Sequence, residues 1–517
     1  MSTAHAHRIA NESPFCEARE LMKKLEDALT MPDAMHATHD EIERMVVSDG
    51  HKLLRALLQA HYDVRAAQER EVVVNARDRA KRERLRSSIR KLETLVGEVE
   101  VQRLVYQGEG VECLAPLEGV LALPEEKYSH ELRRMAAEES AQGSFEEAVE
   151  RIDKRTGAHV PKRQVEELTI RAAQDFDAYY ADRLREPETE TADHLVVLSF
   201  DDKGIATRHQ DLREATRKAA EATPPTLHSR LAKGEKPNRK RMAKVATVYA
   251  LEKWPRTIAD VLHGLHDPKQ RDAERPRPVN KRVWASIEHA GQRVIDDAFA
   301  EGLRRDPERL RRWVVLVDGH RDQIRRVLRG ADKAAVKITI VLDIVHVLEY
   351  LWRAAYAFHA DGTPDAEKWV EDRLLALLTG RSAGEIAKSL RGMVLSQGLD
   401  AKAARPVVKC AKYLVKNARW LHYDRALADG LPIATGVIEG ACRHLVQDRM
   451  GRTGARWSLA GAEAVLRMRA LRASRDFDDY WLFHLAKEQE RNHASRYVDG
   501  IVPDPIPQPR PNLRIVK

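Results

Sequence analysis

The sequence predicts an α+β chain of several domains, in which helical regions flank and interrupt a sheet-bearing core. Three observations predict it. With 517 residues the chain exceeds the size at which a single hydrophobic core stops growing, so roughly two to four domains are expected. Residues 16 to 95 are rich in Ala, Leu, Glu, Lys and Arg with apolar positions at helical spacing, as in LLRALLQAHYDVRAAQER. Further on, the short runs LVVLSF, WVVLV and ITIVL read as buried strands.

Composition narrows the class of protein. Hydrophobic residues at 43% and charged residues at 32% supply buried cores under a heavily charged surface. No stretch approaches the roughly 20 uninterrupted apolar residues that span a bilayer, and the opening MSTAHAHRIANESPF lacks the apolar run of a signal peptide. A cytoplasmic protein with no membrane partner is expected. Cys16, Cys113, Cys410 and Cys442 lie far apart, without the close pairs of a zinc site or disulfide framework, so free thiols and no structural zinc are expected. Lysine plus arginine exceed aspartate plus glutamate by 88 − 80 = 8, which suits a polyanionic partner. Lys233, Lys236, Arg239, Lys240, Arg241 and Lys244 crowd one segment, which reads equally as a phosphate-contacting patch and as a solvated loop.

In chain order, residues 1–95 read as a helical N-terminal region. Residues 96–128, with alternating β-branched residues and Gly-x-Gly punctuation, read as a small β element. Residues 129–190 resolve into three helical patterns separated by Gly143 and by the turn from Gly157 to Pro161. The middle one begins at the N-cap Ser144 and turns Phe145, Ala148, Val149 and Ile152 inward. The next buries Val165, Leu168 and Thr169. That outline is a helix-turn-helix whose second helix offers Lys162, Arg163 and Gln164 to a major groove, although helix pairs with a glycine turn are also common in ordinary bundles.

Residues 191–348 carry the strands. His194 to Phe200 is the clearest, residues 201 to 209 read as a tight turn into a second strand, and Lys244 to Ala250 is a third. A long helix is expected from Asn280 to about Leu303, with Val283, Ile287, Ala290, Val294 and Ala298 on one face. Strands at 313 to 318 and 336 to 343 follow. Three strands, a helix, a strand, a short helix and a strand make a ribonuclease-H-like α/β succession. An all-helical insertion over 349–430 interrupts this core, and 431–490 resumes it with a last helix from Gly436 toward Met450. Residues 491–517 read as a proline-rich flexible tail.

Two strands run directly into acids, LVVLSF into Asp201 and WVVLV into Asp318. The carboxyl edge of a sheet is where ligands bind in α/β proteins, and carboxylates converging there must be neutralised, commonly by a divalent metal. Taken singly, such an Asp is more often a turn former or helix cap. Asp343, after ITIVL and before a helix, has the strongest N-cap reading. The remaining acid, Glu439, falls in LPIATGVIEGACRHLVQDRMGRTGARW, where Thr435 caps a helix burying Ile438, Ala441, Cys442 and Leu445. Glu439, Arg443 and Gln447 form a polar ridge beside that face, which by itself is an ordinary Glu–Arg surface pair. Arg443, Arg449, Arg452 and Arg456 cluster there with Trp457, a pattern suited to holding DNA phosphates beside metal-bound carboxylates.

The segments LSFDDKGIATR, WVVLVDGHRDQIRRV, ITIVLDIVHVLEYLWRAAYAFH, LPIATGVIEGACRHLVQDRMGRTGARWSLAGAEAVLRMRAL and DFDDYWLFHL resemble the ISKra family of bacterial insertion-sequence transposases. The resemblance covers roughly residues 96 to 495 and is most specific from Leu431 to Leu471. It implies a DDE-type transposase with catalytic, metal-binding acids at Asp201, Asp318 and Glu439. Asp343 is the second choice for the middle acid, and His346 three residues on resembles part of the Cys-x-x-His signature of Mutator-like transposases. The family's Asp-Gly-Lys-Gly pattern stands here as Asp201-Asp202-Lys203-Gly204. The cysteine pairs of some relatives are absent, so a zinc function is not carried over. The resemblance further implies phosphoryl transfer with two Mg²⁺ ions, replaceable by Mn²⁺. Its implied partners are double-stranded DNA, as terminal inverted repeats and target, and a second copy of the chain. Two rivals share these features, a nuclease or resolvase on the same fold and a helix-turn-helix regulator with an inactive catalytic domain.

Overall fold

Helix caps and hydrophobic patterning set the local structure, and the chain divides into one unit formed by 1–175 with 478–517 and another formed by 176–477. The computed structural model describes residues 13–188, 193–222, 239–266, 275–452 and 454–507. No helix among the described residues is long and apolar enough to cross a membrane.

In the first unit α1 (Cys16–Thr30) and α2 (His39–Gln68) bury only Ala18, Ala56 and Ala60. The capping box of Thr38 and Glu41 fixes where α2 starts. An antiparallel hairpin follows, β1 (Arg84–Thr94) with β2 (Gly97–Gln107), turning at Gly97, whose φ of +112° suits glycine. This corrects the helical expectation for residues 84 to 94. RLRSSIRKLET has strong helix formers and buries only Leu92 and Thr94, so its alternation is faint, and pairing with VEVQRLVY overrides propensity. Three helices come next, α3 (His130–Gln142), α4 (Phe145–Arg155) and α5 (Lys162–Ala172). Ser144 caps α4 in a second capping box, and Leu132, Ala136, Ala148, Ile152, Val165 and Leu168 share one core.

The C-terminal helix (Phe477–Asn492) is fastened to this unit by a buried ionic knot. Arg133, fully buried, donates to Glu488 at 2.7 Å and to His484 Nε2 at 2.9 Å, which leaves the Nδ1 proton of His484 to bond Asp175 at 2.7 Å. Beyond it the expected flexible tail is docked as far as residue 507. The Val498 amide donates to the Asn75 carbonyl, the Arg70 amide donates to the Pro505 carbonyl, and Tyr497 pairs with Ala76. Residues 508–517 lie outside the described residues.

The second unit is built on a five-stranded sheet of β3 (Leu195–Ala206), β4 (Lys240–Leu251), β5 (Val279–Ser286), β6 (Trp313–Val317) and β7 (Ile338–Leu342). Its spatial order is β5-β4-β3-β6-β7. The first three strands are antiparallel neighbours, and β6 and β7 run parallel to β3. Every residue from Leu195 to Phe200 and from Trp313 to Val317 is buried, as parallel strands covered on both faces require. Among its helices are α6 (Gly291–Arg305), α7 (Arg321–Ala334), α8 (Ile344–Ala355), α9 (Pro364–Leu378), α10 (Ala383–Ser396), α11 (Arg405–Lys416), α12 (Gly436–Ala441) and α13 (Leu459–Ser474).

Two expectations are corrected here. The tight turn at 201 to 209 is instead the continuation of β3, which pairs with β4 as far as Ala206 opposite Lys240. The expected start of a long helix at Asn280 is β5, and α6 begins only at Gly291. The helical spacing of Val283, Ile287, Ala290 and Val294 straddles a strand and a helix. Hydrogen bonding to β4 claims the first part, and Arg282 is buried there because Glu301 pairs with it at 3.0 Å while Tyr180 and Trp284 stack on it. Such tertiary terms outweigh local periodicity.

α6 crosses the sheet at close range. A Cβ at Gly302 would come within 2.4 Å of the Trp313 ring, which is pinned by its Nε1 donating to Asp306 at 2.8 Å. Gly302→Ala is therefore expected to destabilise the protein by about 1–3 kcal/mol despite its better helix propensity. Thermal unfolding of the variant checks this, and an unchanged or raised midpoint would refute the packing account.

Candidate metal centre at the edge of the sheet

Strand register brings three aspartates side by side. The β3–β6 ladder ends with Ser199 opposite Leu316, and the β6–β7 ladder ends with Val317 opposite Leu342. Continued past the paired residues, the same register sets Asp201 beside Asp318 and Asp318 beside Asp343, on strands about 4.8 Å apart. Alternation turns the neighbouring Asp202 to the other face of β3, where Lys244 pairs with it. Asp201 therefore stands in the middle of a strand, with β3 continuing beyond it, rather than at a strand end.

The fourth acid arrives on α12, which packs over β3 and β4 and widens into one π-turn, Cys442–Gln447. Ile438, Ala441, Cys442 and Leu445 form its buried side and Glu439 is exposed at the lip. Thr435 does not cap this helix with its side chain, contrary to expectation. Its hydroxyl proton goes to Asp343 at 2.6 Å, leaving only a 3.4 Å contact with Glu439. One oxygen each of Asp343 and Glu439 and one nitrogen of His346 lie within 4.8 Å of one another.

The four acids differ in what already binds them. Asp343 is fully buried and accepts four hydrogen bonds. One oxygen takes the amides of Val345 (3.2 Å) and Thr435 (3.1 Å), and the other takes the Thr435 hydroxyl (2.6 Å) and His346 Nδ1 (2.7 Å). A carboxylate has about four lone-pair sites, so Asp343 has none left for a metal. Its hydrogen bond holds the His346 imidazole in the charged form, raising its pKa from 6.5 to about 9. Asp343 and His346 thus form a closed, neutral pair that also caps α8.

Asp201, Asp318 and Glu439 are open by comparison. Asp201 accepts from the amide of Asp202 at 2.6 Å and from the Cys442 thiol at 3.1 Å. Burial, reinforced by the Asp201 charge, pushes that thiol's pKa up, so Cys442 stays a weak neutral donor. Asp318 accepts from the His320 amide at 2.8 Å. None of the three pairs with a lysine or arginine among the described residues. Asp201 and Asp318 are half-exposed and Glu439 is exposed, so all three keep lone pairs free, and carboxylate oxygens are the donor type that hard divalent cations take. The metal-ligating groups brought within 4.8 Å of one another at this edge are those of Glu439, Asp343 and His346.

Several residues that shape this edge carry no sequence signal beyond ordinary polarity. The Tyr413 hydroxyl donates to the Asp318 carbonyl at 2.9 Å and Lys416 Nζ donates to the Gly319 carbonyl at 3.1 Å, so α11 clamps the turn after β6. Gly319 is required there, with φ +89° and a Cβ position 2.8 Å from Asn417 Nδ2. Gln323 Nε2 holds the Phe200 carbonyl at 3.1 Å, just before Asp201.

The residues expected to bind DNA are scattered in character. Lys162, Arg163 and Gln164 open α5 in the first unit, where Lys162 pairs with Glu146 while Arg163 and Gln164 bond Glu167. Lys233 and Lys236 lie outside the described residues. Arg239 and Lys240 are exposed at the start of β4. Arg241 is half-buried, with its Nε and Nη1 donating to the carbonyls of Ile287 and Asp211. Arg449 is buried and stacked on Trp457, with 4.5 Å to the ring centroid, where the chain at 457 pairs with the end of β3. Arg443, Arg452 and Arg456 are exposed, with Arg443 3.8 Å from Asp448.

Fold and site together define an α+β protein with a carboxylate cluster at the edge of a mixed five-stranded sheet. No protein-family model and no curated protein sequence matches the chain. Among solved structures it is similar to the Drosophila P element transposase strand transfer complex, at 11% identity and a TM-score of 0.25, over 72% of this chain and 83% of that one. A likeness that remote has no bearing on chemistry.

Replacing Asp343 separates its role from that of the open acids. Asp343→Ala leaves a buried threonine and a helix start without acceptors and is expected to cost about 2–4 kcal/mol of stability. In the intact protein His346 is expected to titrate near pH 9 by NMR. A raised folded-state pKa means that the His346 contribution is complete below pH 6.5 and is lost as pH rises through about 9. Titration of His346 near 6.5 would refute the closed pair.

Proposed function

We propose that the chain is a DDE-type DNA transposase of a bacterial insertion sequence, with Asp201, Asp318 and Glu439 as its metal-holding acids. The observation that carries this reading is that Asp201, Asp318 and Glu439 form no ion pair with lysine or arginine among the described residues, beside Asp343, which is saturated. The strand order β5-β4-β3-β6-β7, with β4 antiparallel to both neighbours, supports a ribonuclease-H-like core, which fits the strand succession read from the sequence. The ISKra resemblance, strongest from Leu431 to Leu471, supplies the finer assignment to insertion-sequence ends and strand transfer. On this reading α3 to α5 form the helix-turn-helix element, and residues 349–430 are the insertion within the core.

The chain's own residues would divide the work as follows. Asp201, central among the strands and oriented by the Cys442 thiol, and Asp318, fixed through the clamped turn at Gly319, would hold the ions from the sheet side. Glu439 closes the site from α12. Bound Mg²⁺ supplies an activated water or DNA 3′-hydroxyl and stabilises the leaving 3′ oxygen. The Asp343–His346 pair positions α8 and Thr435 and takes no part in holding the ions.

Asp201→Asn, Asp318→Asn and Glu439→Gln are each expected to lower Mg²⁺-dependent cutting and joining of terminal-repeat DNA by at least about 100-fold, or about 2.7 kcal/mol. Each should leave the melting temperature within about 3 °C, since all three side chains are half-exposed or exposed. Cleavage without any joined product would make the chain a nuclease. Undiminished activity in all three variants would remove the catalytic assignment.

A further inference from the structure

The helix that clamps the Asp318 turn carries a second feature that the reading above does not use. On α11, Arg405, Lys409, Lys412 and Lys416 follow one another at intervals of four, three and four residues. At 100° per residue these positions fall on a single ridge. All four are exposed, and none forms an ion pair with an acid among the described residues. The opposite face, Val407, Cys410, Ala411 and Leu414, is buried against α8 and α10. Other surface helices pair their cations with acids at i±3 or i±4, as in Arg353–Glu349 and Lys218–Glu214, a relief the ridge on α11 lacks.

Its position gives the ridge a direction. The Lys416 end is tied to the carbonyl of Gly319, next to Asp318, while the Arg405 end lies eleven residues away along the helix. Eleven residues span about 16 Å, the axial length of about five phosphates of one duplex strand. Tyr413, from the same helix, reaches the Asp318 carbonyl and is stacked on Tyr350 with ring centroids 4.0 Å apart, so the ridge and the acid are held by one rigid element.

We propose that this ridge is a phosphate track that seats one DNA strand so that it runs into the carboxylate edge. The inference rests on the metal-site reading for its direction, and on the charge and placement of α11 for its ligand. Lys409 and Lys412 contact phosphates away from the reacting one, and Lys416 both fixes the turn and meets the strand where it enters.

The test uses the full chain and a fluorescein-labelled 30-bp duplex of arbitrary sequence in EDTA, so that binding is read without chemistry. K409E/K412E is expected to weaken binding at least about 10-fold at low salt and to reduce the slope of log K against log salt by about 1.8, for two lost phosphate contacts. K409R/K412R should bind like the parent. The control K388E/R391E, on exposed positions of α10, should change little. Parent-like affinity and slope in K409E/K412E, or an equal loss in the control, would overturn the track. Because this readout needs no metal, an inactive metal site leaves the binding result intact, so failure of the metal reading and failure of the track are read separately.

Discussion

The second unit's functional edge depends on a single buried carboxylate, Asp343. It lies where β7 ends, where α8 begins and where the chain arrives from the helical segment to start α12, and it is bonded to all three places. Ionised carboxylates are rarely left without water, and the cost is offset here by four donors, one of them a protonated histidine. The consequence is selective. Saturating Asp343 leaves it no lone pair for a further ligand while its bonds to Thr435 hold the start of α12, four residues before Glu439, beside the end of β7.

The continuation of β3 past Asp201 has a related effect. An acid at a strand terminus moves with the loop after it, whereas Asp201 is fixed by pairing on both sides, to Val245 on β4 and through the Gln323 bond at Phe200. Asp318 lacks such a continuation, and α11 supplies the rigidity from outside through Tyr413 and Lys416. Different local means thus give two neighbouring strands comparable definition, which a metal site needs because its ligands must be held within fractions of an ångström.

How much of this was legible in the sequence follows from burial. LVVLSF, WVVLV and ITIVL were readable because strands covered on both faces leave continuous apolar runs, and the acids that follow them were readable with them. β1 and β5 were not. β1 is kept in a strand by its hairpin pairing with β2, as of Leu85 with Tyr106, and β5 by its ladder to β4 with the Glu301–Arg282 pair beside it, and local composition is silent about both. The N-cap reading of Asp343 was legible, but its saturation was not, since Thr435 lies 92 residues away. The lysine ridge was present in RPVVKCAKYLVK all along. Without knowing that Tyr413 and Lys416 reach the Asp318 turn, it was indistinguishable from the solvated face of any surface helix.

Electrostatics links these parts. On the proposed reading, a site of open acids repels the phosphates of an incoming strand, and the attraction of bound cations would be short-ranged, since charges are screened over about 8 Å at physiological ionic strength. A 16 Å ridge exceeds that length. Lys416, tied to the Gly319 carbonyl, is the ridge cation placed beside the Asp318 turn, while Arg405 at the other end would act, on the proposed reading, on phosphates beyond the carboxylates. The helix dipole opposes this arrangement, because α11 presents its C-terminal end to the Asp318 turn, and Lys416 in its last turn offsets that partial negative charge. On the proposed reading, basic side chains in the ridge and acids at the sheet edge would act as one device, with attraction distributed along the path and cation binding confined to its end.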